Sequence, residues 1–291
     1  MAASHDSIDQ AFVTAWDNAI RETAQQSESR LLACVLNEGT VEGEAFTHNF
    51  MGSTEMDEVN DRLGDTIWGA VEHKTPIAPM QDFYKALPLD RKDIPRMKVN
   101  PVAGGNYMGT LIKAKNRKVD DIIYKAAIGT QGLKDGSTIV LPNTQKILAG
   151  GTGLTKGKLI TVRKIFRVNE NDQHAGEELV MLYDDAMLED VLADTTLTSA
   201  DFMAVKMLQA GDVSGKWMGF EWIPYNKFNL NGTVRTGLAM TKTAVKFGMG
   251  YERGNVSERN DKQDAYQVSY AFSGAALRTE EKGVVAVEIE Q

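Results

Sequence analysis

The sequence predicts an α+β fold, with one long amphipathic helix accompanied by several β-strands. Over 106–129 the apolar residues recur at three- and four-residue steps, which is the spacing of a helix with one buried face. Residues 265–278 and 285–289 alternate large apolar and polar side chains, as strands with one buried face do. Four of the seven prolines fall within 40–100, with Pro101 just beyond, which favours an extended β-excursion there over a helical core.

Composition excludes several classes of function. The net charge of −8 argues against an electrostatic grip on nucleic acid, which needs clustered lysine and arginine. The single cysteine, Cys34, excludes an intrachain disulfide and a multi-cysteine metal site, and lies in an apolar run that predicts burial. No stretch approaches the ~20 apolar residues of a membrane helix, and the N-terminus lacks the features of a signal peptide. The sequence therefore predicts a soluble protein that is not exported.

The chain begins with a predicted amphipathic helix. Ser7 and Gln10 have the spacing of a capping box, and Phe12 and Trp16 follow at helical intervals. The pattern predicts a helix that runs to about Leu36. Its apolar face needs a cover, and both the chain's own domain and a neighbouring subunit remain open as that cover.

A long two-stranded excursion is predicted next. A first run alternates over 46–51, and a second run over 66–71 returns towards a proline-containing segment. An isolated hairpin of this length is marginal in water. It would expose large side chains and makes physical sense only if another chain receives it. Five of these are candidate inter-subunit contacts: Phe46, Phe50, Trp68, Phe83 and Tyr84.

The central helix has predicted signals at both ends. Asn106 has the chemistry of an N-cap, and Gly129 stands where a left-handed C-terminal residue is favoured. Asp121 has the spacing to pair with Arg117 and with Lys125. Asp120 and Asp121 together indicate a solvated or interface face.

The glycine-rich tract at 149–158 resembles a phosphate-binding loop only superficially. Such a loop needs Ser or Thr after its Gly-Lys pair, whereas Leu159 follows Lys158 here, and the spacing of the preceding glycine also fails. A loop followed by a helix over 155–168, capped by Thr155, is the better interpretation.

The remaining elements are assigned from local pattern. A buried strand is predicted over 178–183, a helix over 184–194, a loop over 195–215 and strands within 217–226 and 237–251. Asp184 and Asp185 then have a sufficient role at a helix N-terminus, where negative charge is favoured.

The sequence predicts no catalytic, cofactor-binding or metal-binding residue. The four histidines have no ligand spacing, and no nucleophile-elbow motif occurs. An enzyme would have to be built on the carboxylates of Asp120, Asp121, Asp184 and Asp185, which need convergent partners for acid–base chemistry.

The order of these parts resembles the major capsid proteins of tailed bacteriophages, which have the Hong Kong ninety-seven type capsid fold. The most specific local similarities are at 117–130, 216–224 and 267–289. The resemblance implies four regions: an N-terminal arm at 1–39, an extended β-hairpin loop at 40–90, a peripheral domain at 91–145 and 259–291 with its spine helix at 106–129, and an α/β axial domain at 146–258. It also implies that the closing strands return to the sheet beside the spine helix.

The same resemblance implies a structural role without catalysis or cofactors. Members self-assemble as hexamers and pentamers into an icosahedral shell that encloses the viral DNA without binding it specifically. The inter-subunit contact candidates are then Phe12, Trp16, Phe46, Phe50, Trp68, Phe83 and Tyr84. The expected location is the virion capsid, assembled in the host cytoplasm, with scaffolding, portal and decoration proteins as candidate partners. Scaffolding is expected from a separate protein or is dispensable. The alternative is an encapsulin-like nanocompartment shell protein.

Overall fold

The computed structural model describes residues 25–58, 62, 66, 68–96, 105–193 and 216–290. Within these ranges the helices are α1 (Asn106–Ile128), α2 (Lys156–Val168) and α3 (Asp185–Ala193). The strands, in chain order, are β1 (Leu36–Thr40), β2 (Ala45–Thr47), β3 (Phe50–Met51), β4 (His73–Lys74), β5 (Pro76–Pro79), β6 (Gln81–Leu89), β7 (Gln131–Leu133), β8 (Thr138–Ile139), β9 (Lys146–Ile147), β10 (Leu179–Tyr183), β11 (Lys216–Trp217), β12 (Phe220–Pro224), β13 (Leu230–Asn231), β14 (Val234–Thr241), β15 (Val245–Arg259), β16 (Ala265–Arg278) and β17 (Val284–Glu290).

The largest sheet has seven strands and is covered on both faces. Its order is β11-β12-β10-β14-β17-β9, with β13 paired to β14. β10 is parallel to β12 and antiparallel to β14. Alternate residues of the central strands enter two hydrophobic clusters: Val180, Leu182, Leu238, Met240, Val284 and Ala286 pack with α1, and Leu179, Met181, Tyr183, Ala239, Val285 and Val287 pack with α2 and α3. The prediction of a single buried face is therefore wrong for β17, because helices lie on both sides of it.

A second, long sheet has the order β1-β15-β16-β6. β16 is antiparallel to both of its neighbours, and α1 packs against it. The rings of Phe83 and Phe272 face each other across β6 and β16 with centroids 5.0 Å apart. Of the two closing strands, β16 pairs with β6 in this sheet, whereas β17 lies in the seven-stranded sheet between β14 and β9, so they do not return to one sheet. The boundaries of the four regions stay a prediction.

The long helix is confirmed, but its ends are capped differently from the prediction. Gly105 precedes it in a left-handed conformation with φ of 73°, and Asn106 is already helical. Gly129 is extended, with φ of −75°. Asp121 pairs with Lys118 and Lys125, at 2.8 and 3.0 Å.

The expected pair between Arg117 and Asp121 is also replaced. The guanidinium Nη1 of Arg117 donates to Oε1 of Gln25 at 2.9 Å, so this side chain turns towards the N-terminal segment. The same N-terminal segment also binds the carboxylate of Asp120, through the backbone N–H of Leu31. It therefore covers the side of α1 that carries Arg117 and Asp120.

The predicted N-terminal helix is wrong over its last third. Residues 25–31 form no regular element, Leu32–Cys34 is one 3-10 turn, and β1 lies parallel to β15. The earlier part of that helix, with Phe12 and Trp16, lies outside the described residues.

Most of the second half agrees with the sequence. The hydroxyl of Thr155 accepts from the backbone N–H of Lys158 at 3.3 Å and caps α2 as predicted. The predicted strand at 178–183 and helix at 184–194 are confirmed as β10 and α3. The strands predicted within 217–226 and 237–251 are also found. The loop predicted at 195–215 lies outside the described residues.

Candidate assembly surfaces

The chain between β1 and β6, called the limb below, leaves the long sheet after Thr40 and returns to it at Gln81. β2 pairs antiparallel with β5, and β3 pairs antiparallel with β4. The backbone N–H of Gly52 donates to the carbonyl of Glu72 at 2.8 Å and closes this ladder. The described residues beyond it, up to 72, form no strand, so the return strand starts later than the run predicted at 66–71.

The first aromatic side chain of the limb is buried in its own chain. Phe46 is 7% exposed and packs with Ala78, Ala275 and Leu277. Gly248 lets the ring approach, because a Cβ at that position would lie 3.3 Å from it. The expectation that Phe46 is exposed is therefore wrong. Phe50, further out on β3, is half-buried.

Two large apolar side chains near the end of the limb are almost completely exposed. Trp68 is 90% exposed, as the sequence predicts, and Met56 is 98% exposed. Tyr84 on β6 is 64% exposed, whereas Phe83 on the opposite face of that strand is half-buried. Sequence reasoning overlooked Met56, and its position between acidic residues was the available signal. Whether the exposed candidates contact a neighbouring subunit stays a prediction.

Asp120 is buried, so the prediction that it belongs to a solvated or interface face is wrong. It is 1% exposed. Its Oδ1 accepts from the hydroxyl of Ser29 at 2.5 Å and from the backbone N–H of Leu31 at 3.1 Å. Its Oδ2 accepts from the backbone N–H of Arg30 at 3.2 Å and from the amide of Gln26. The carboxylate therefore fastens the N-terminal segment to α1.

The other carboxylate pair also has structural partners. Asp184 lies at the N-terminus of α3 as predicted. It is buried, and its Oδ1 also accepts from the backbone N–H of Met187 at 2.9 Å, which caps the helix. Its Oδ2 pairs with Arg235 at 2.6 Å. Asp185 is exposed and accepts from the side chain of Asn226. Among the described residues, no group of three or more His, Cys, Asp or Glu side chains could hold a metal ion.

Lys158 is committed to the loop that precedes α2. Its ammonium lies within 2.8 to 3.0 Å of the carbonyl oxygens of Ala149, Thr152, Gly153 and Glu288. Desolvation by burial lowers its pKa. Because these carbonyls take all of its donors, Lys158 has none to offer a phosphate, which agrees with the interpretation of this tract as a loop.

The thiol of Cys34 is expected to be unreactive in the folded protein. It is 3% exposed, and burial raises its pKa to about 11. A raised pKa means that the thiolate forms only as the pH approaches 11, so at pH 8 about one thiol in a thousand is ionised. We expect alkylation at pH 8 to be at least ~100-fold slower than in urea-unfolded protein. Labelling followed by mass spectrometry measures this, and equal rates would contradict the burial.

Residues 8–291 match the family model described as phage capsid protein. The chain belongs to the phage capsid protein family. It is a structural subunit of a capsid shell, and its place is the virion capsid. This match favours the capsid over an encapsulin-like compartment, and it fits a protein that is not an enzyme.

Solved phage structures share the fold. One from Gordonia phage Cozz is 10% identical and has a TM-score of 0.69, covering 99% of this chain and 94% of that one. One from Microbacterium phage Oxtober96 is 11% identical with a TM-score of 0.69, covering 98% of both chains. The capsid of Ralstonia phage GP4 is 10% identical with a TM-score of 0.69, covering 96% and 95%. No curated protein matches the chain. None of the described helices is both long and apolar enough to cross a membrane.

Proposed function

We propose that the chain self-assembles as hexamers and pentamers into an icosahedral shell that encloses the viral DNA genome. Family membership supports the shell, and the limb supports contact between subunits. The observation that carries the proposal is the exposure of two large apolar side chains near the end of the limb: Met56 is 98% exposed and Trp68 is 90% exposed. Apolar side chains this exposed at one end of a projection are typical of an interaction surface.

In the proposed shell the limb of one subunit lies over its neighbour. Such contacts are heterologous, and they close into rings only when the rotation between subunits is right. The arm at 1–39, the loop at 40–90, the peripheral domain at 91–145 and 259–291 and the axial domain at 146–258 keep the roles that the capsid resemblance implies.

The genome would be enclosed without specific binding. The net charge of −8 supports this, because tight contact with the phosphate backbone needs a surplus of basic side chains. We propose assembly in the host cytoplasm, with scaffolding, portal and decoration proteins as candidate partners.

Shortening the limb is expected to abolish shells and leave the fold intact. The hydrogen bond between Gly52 and Glu72 brings the two strands together, so residues 53–71 are replaceable by an Asn-Gly turn. Negative-stain electron microscopy and sedimentation compare the shortened and the complete chain. We expect closed particles or capsomers only from the complete chain.

The controls separate failure of folding from failure of assembly. Leu148→Ser changes a side chain that is 72% exposed but lies beside β9, outside the limb, and tests whether any exposed apolar change has the same effect. Slow alkylation of Cys34 reports a folded core in each variant. Closed particles from the shortened chain would contradict the proposed role of the limb, and absorbance of purified particles at 260 nm distinguishes nucleic acid from enzyme cargo.

A further inference from the structure

An apolar groove lies between α1 and the long sheet. It has a volume of about 280 Å³. Its walls are formed by Phe83 of β6, Leu111 and Ala114 of α1, and Tyr270 and Phe272 of β16. Aromatic rings and methyl groups therefore line a space large enough for one unbranched apolar side chain.

Three lysines surround this groove. Lys115 pairs with Glu252 at 2.8 Å, and Lys118 pairs with Asp121 at 2.8 Å while lying 4.9 Å above the ring of Phe83. Lys85 makes no ion pair within the described part of the chain. These three lysines form the rim of the groove. The rim has a net positive charge even after the carboxylates of Glu252 and Asp121 are counted against it.

The end of the limb has the complementary composition. Met56 is the most exposed of the large apolar side chains, and Glu55, Asp57 and Glu58 flank it. These three carboxylates are exposed and form no ion pair among the described residues. The segment therefore presents one flexible apolar side chain surrounded by negative charge. Trp68 is almost as exposed, but Thr66, Gly69 and Ala70 around it are uncharged.

We propose that the groove of one subunit receives Met56 from a second copy of this chain. Glu55, Asp57 and Glu58 of the incoming limb then face the lysine rim. Met56 contacts almost nothing in its own chain, so a second copy is the occupant that its exposure and the matching charges favour. A thioether also fits, because methionine adapts to irregular spaces and its sulfur makes favourable contacts with aromatic rings.

This inference rests on the proposed function and names the surface that accepts the limb. The contact joins two different surfaces, so each subunit gives a limb to one neighbour and accepts one from another. It predicts that the groove, and not only the limb, is required for closed particles.

An inter-subunit disulfide tests the contact in the full chain. Met56→Cys combined with Ala114→Cys places one thiol on the limb and one on the groove wall, while Cys34 is buried. After assembly and mild oxidation, non-reducing electrophoresis is expected to show a ladder of covalent oligomers. Each single replacement should give no ladder. Met51→Cys with Ala114→Cys is the matched control, because Met51 is 65% exposed on the same limb but lies in β3, before the acidic segment.

A charge exchange supplies the second test. Lys85→Glu is expected to raise the protein concentration needed for assembly severalfold, and adding Glu58→Lys is expected to restore it. Closed particles without any ladder, together with no effect of Lys85→Glu, would overturn the groove as the receiving surface and leave the proposed shell intact. A complete chain that never forms particles, either alone or when co-expressed with candidate scaffolding proteins, would instead refute the proposed function.

Discussion

Replacing Asp120 by alanine is expected to destabilise the folded chain by about 3 kcal/mol, because buried donors are left without an acceptor. The carboxylate accepts from the backbone N–H groups of Arg30 and Leu31 and from the side chains of Gln26 and Ser29. Without the carboxylate, these donors either stay buried with no acceptor or the segment 26–31 detaches from α1. Leu31, which is fully buried, would then lose its cover as well.

Urea denaturation of the unassembled protein measures the loss. Asp121→Ala is the matched control, since Asp121 is adjacent but pairs only with Lys118 and Lys125 near the surface. Exposed pairs of this kind contribute about 0.2–1 kcal/mol. Faster alkylation of Cys34 in Asp120→Ala alone would show that the N-terminal segment has detached. Equal losses in the two variants would contradict the role assigned to Asp120.

Elements with strong local signals could be predicted from the sequence. The apolar stripe of α1 and the cap of α2 by Thr155 each depend on residues within a few positions of one another. The same holds for β10, whose five residues are all buried and form one continuous apolar run. In these places local preference and tertiary packing favour the same structure.

The differences arise where a distant residue overrides the local pattern. The sequence treats Asp120 and Asp121 alike, and only the docking of residues 26–31 makes one buried and leaves the other paired at the surface. The same contact explains why the predicted N-terminal helix does not continue to Leu36. Backbone N–H groups that bind Asp120 are held in a conformation that serves this contact and not a helix.

The candidate surfaces were predicted only in part for a related reason. Phe46 is predicted to be exposed because it is a large aromatic residue in the limb. Its ring is instead buried against its own sheet, in the space that the missing Cβ of Gly248 leaves on β15. Met56 has no periodic neighbours, so helix or strand periodicity does not indicate it, and only the acidic residues around it distinguish it in the sequence. Met56 and the residues that line the groove beside α1 are far apart in the chain, so sequence spacing does not show that they could form one contact.

The C-terminal end of α1 leads to the second large expected effect. The sequence assigns this cap to Gly129, but the helix ends against the guanidinium of Arg278, 2% exposed on β16. Its Nη1 donates to the carbonyls of Ala127 and Gly129 at 2.8 and 2.9 Å, and its Nη2 donates to that of Ile139 at 3.3 Å. Burial lowers the pKa of this group, yet an arginine stays charged at neutral pH. A positive charge is favourable at a helix C-terminus.

Arg278→Leu is therefore expected to lower the free energy of unfolding by about 3 kcal/mol, since it leaves buried carbonyl oxygens without donors. Arg278→Lys should recover part of the loss, because an ammonium keeps the charge but lacks the planar set of donors that reaches several carbonyls. Arg253→Leu provides the control, as Arg253 is exposed on β15 and its side chain makes no hydrogen bond or ion pair among the described residues. Urea denaturation of the unassembled variants gives the ranking, and a loss from Arg278→Leu no larger than that from Arg253→Leu would show that the carbonyls find water instead. Arg278 connects the end of α1 to β16, and both of these elements line the groove. Loss of this connection should therefore also weaken assembly of subunits that remain folded.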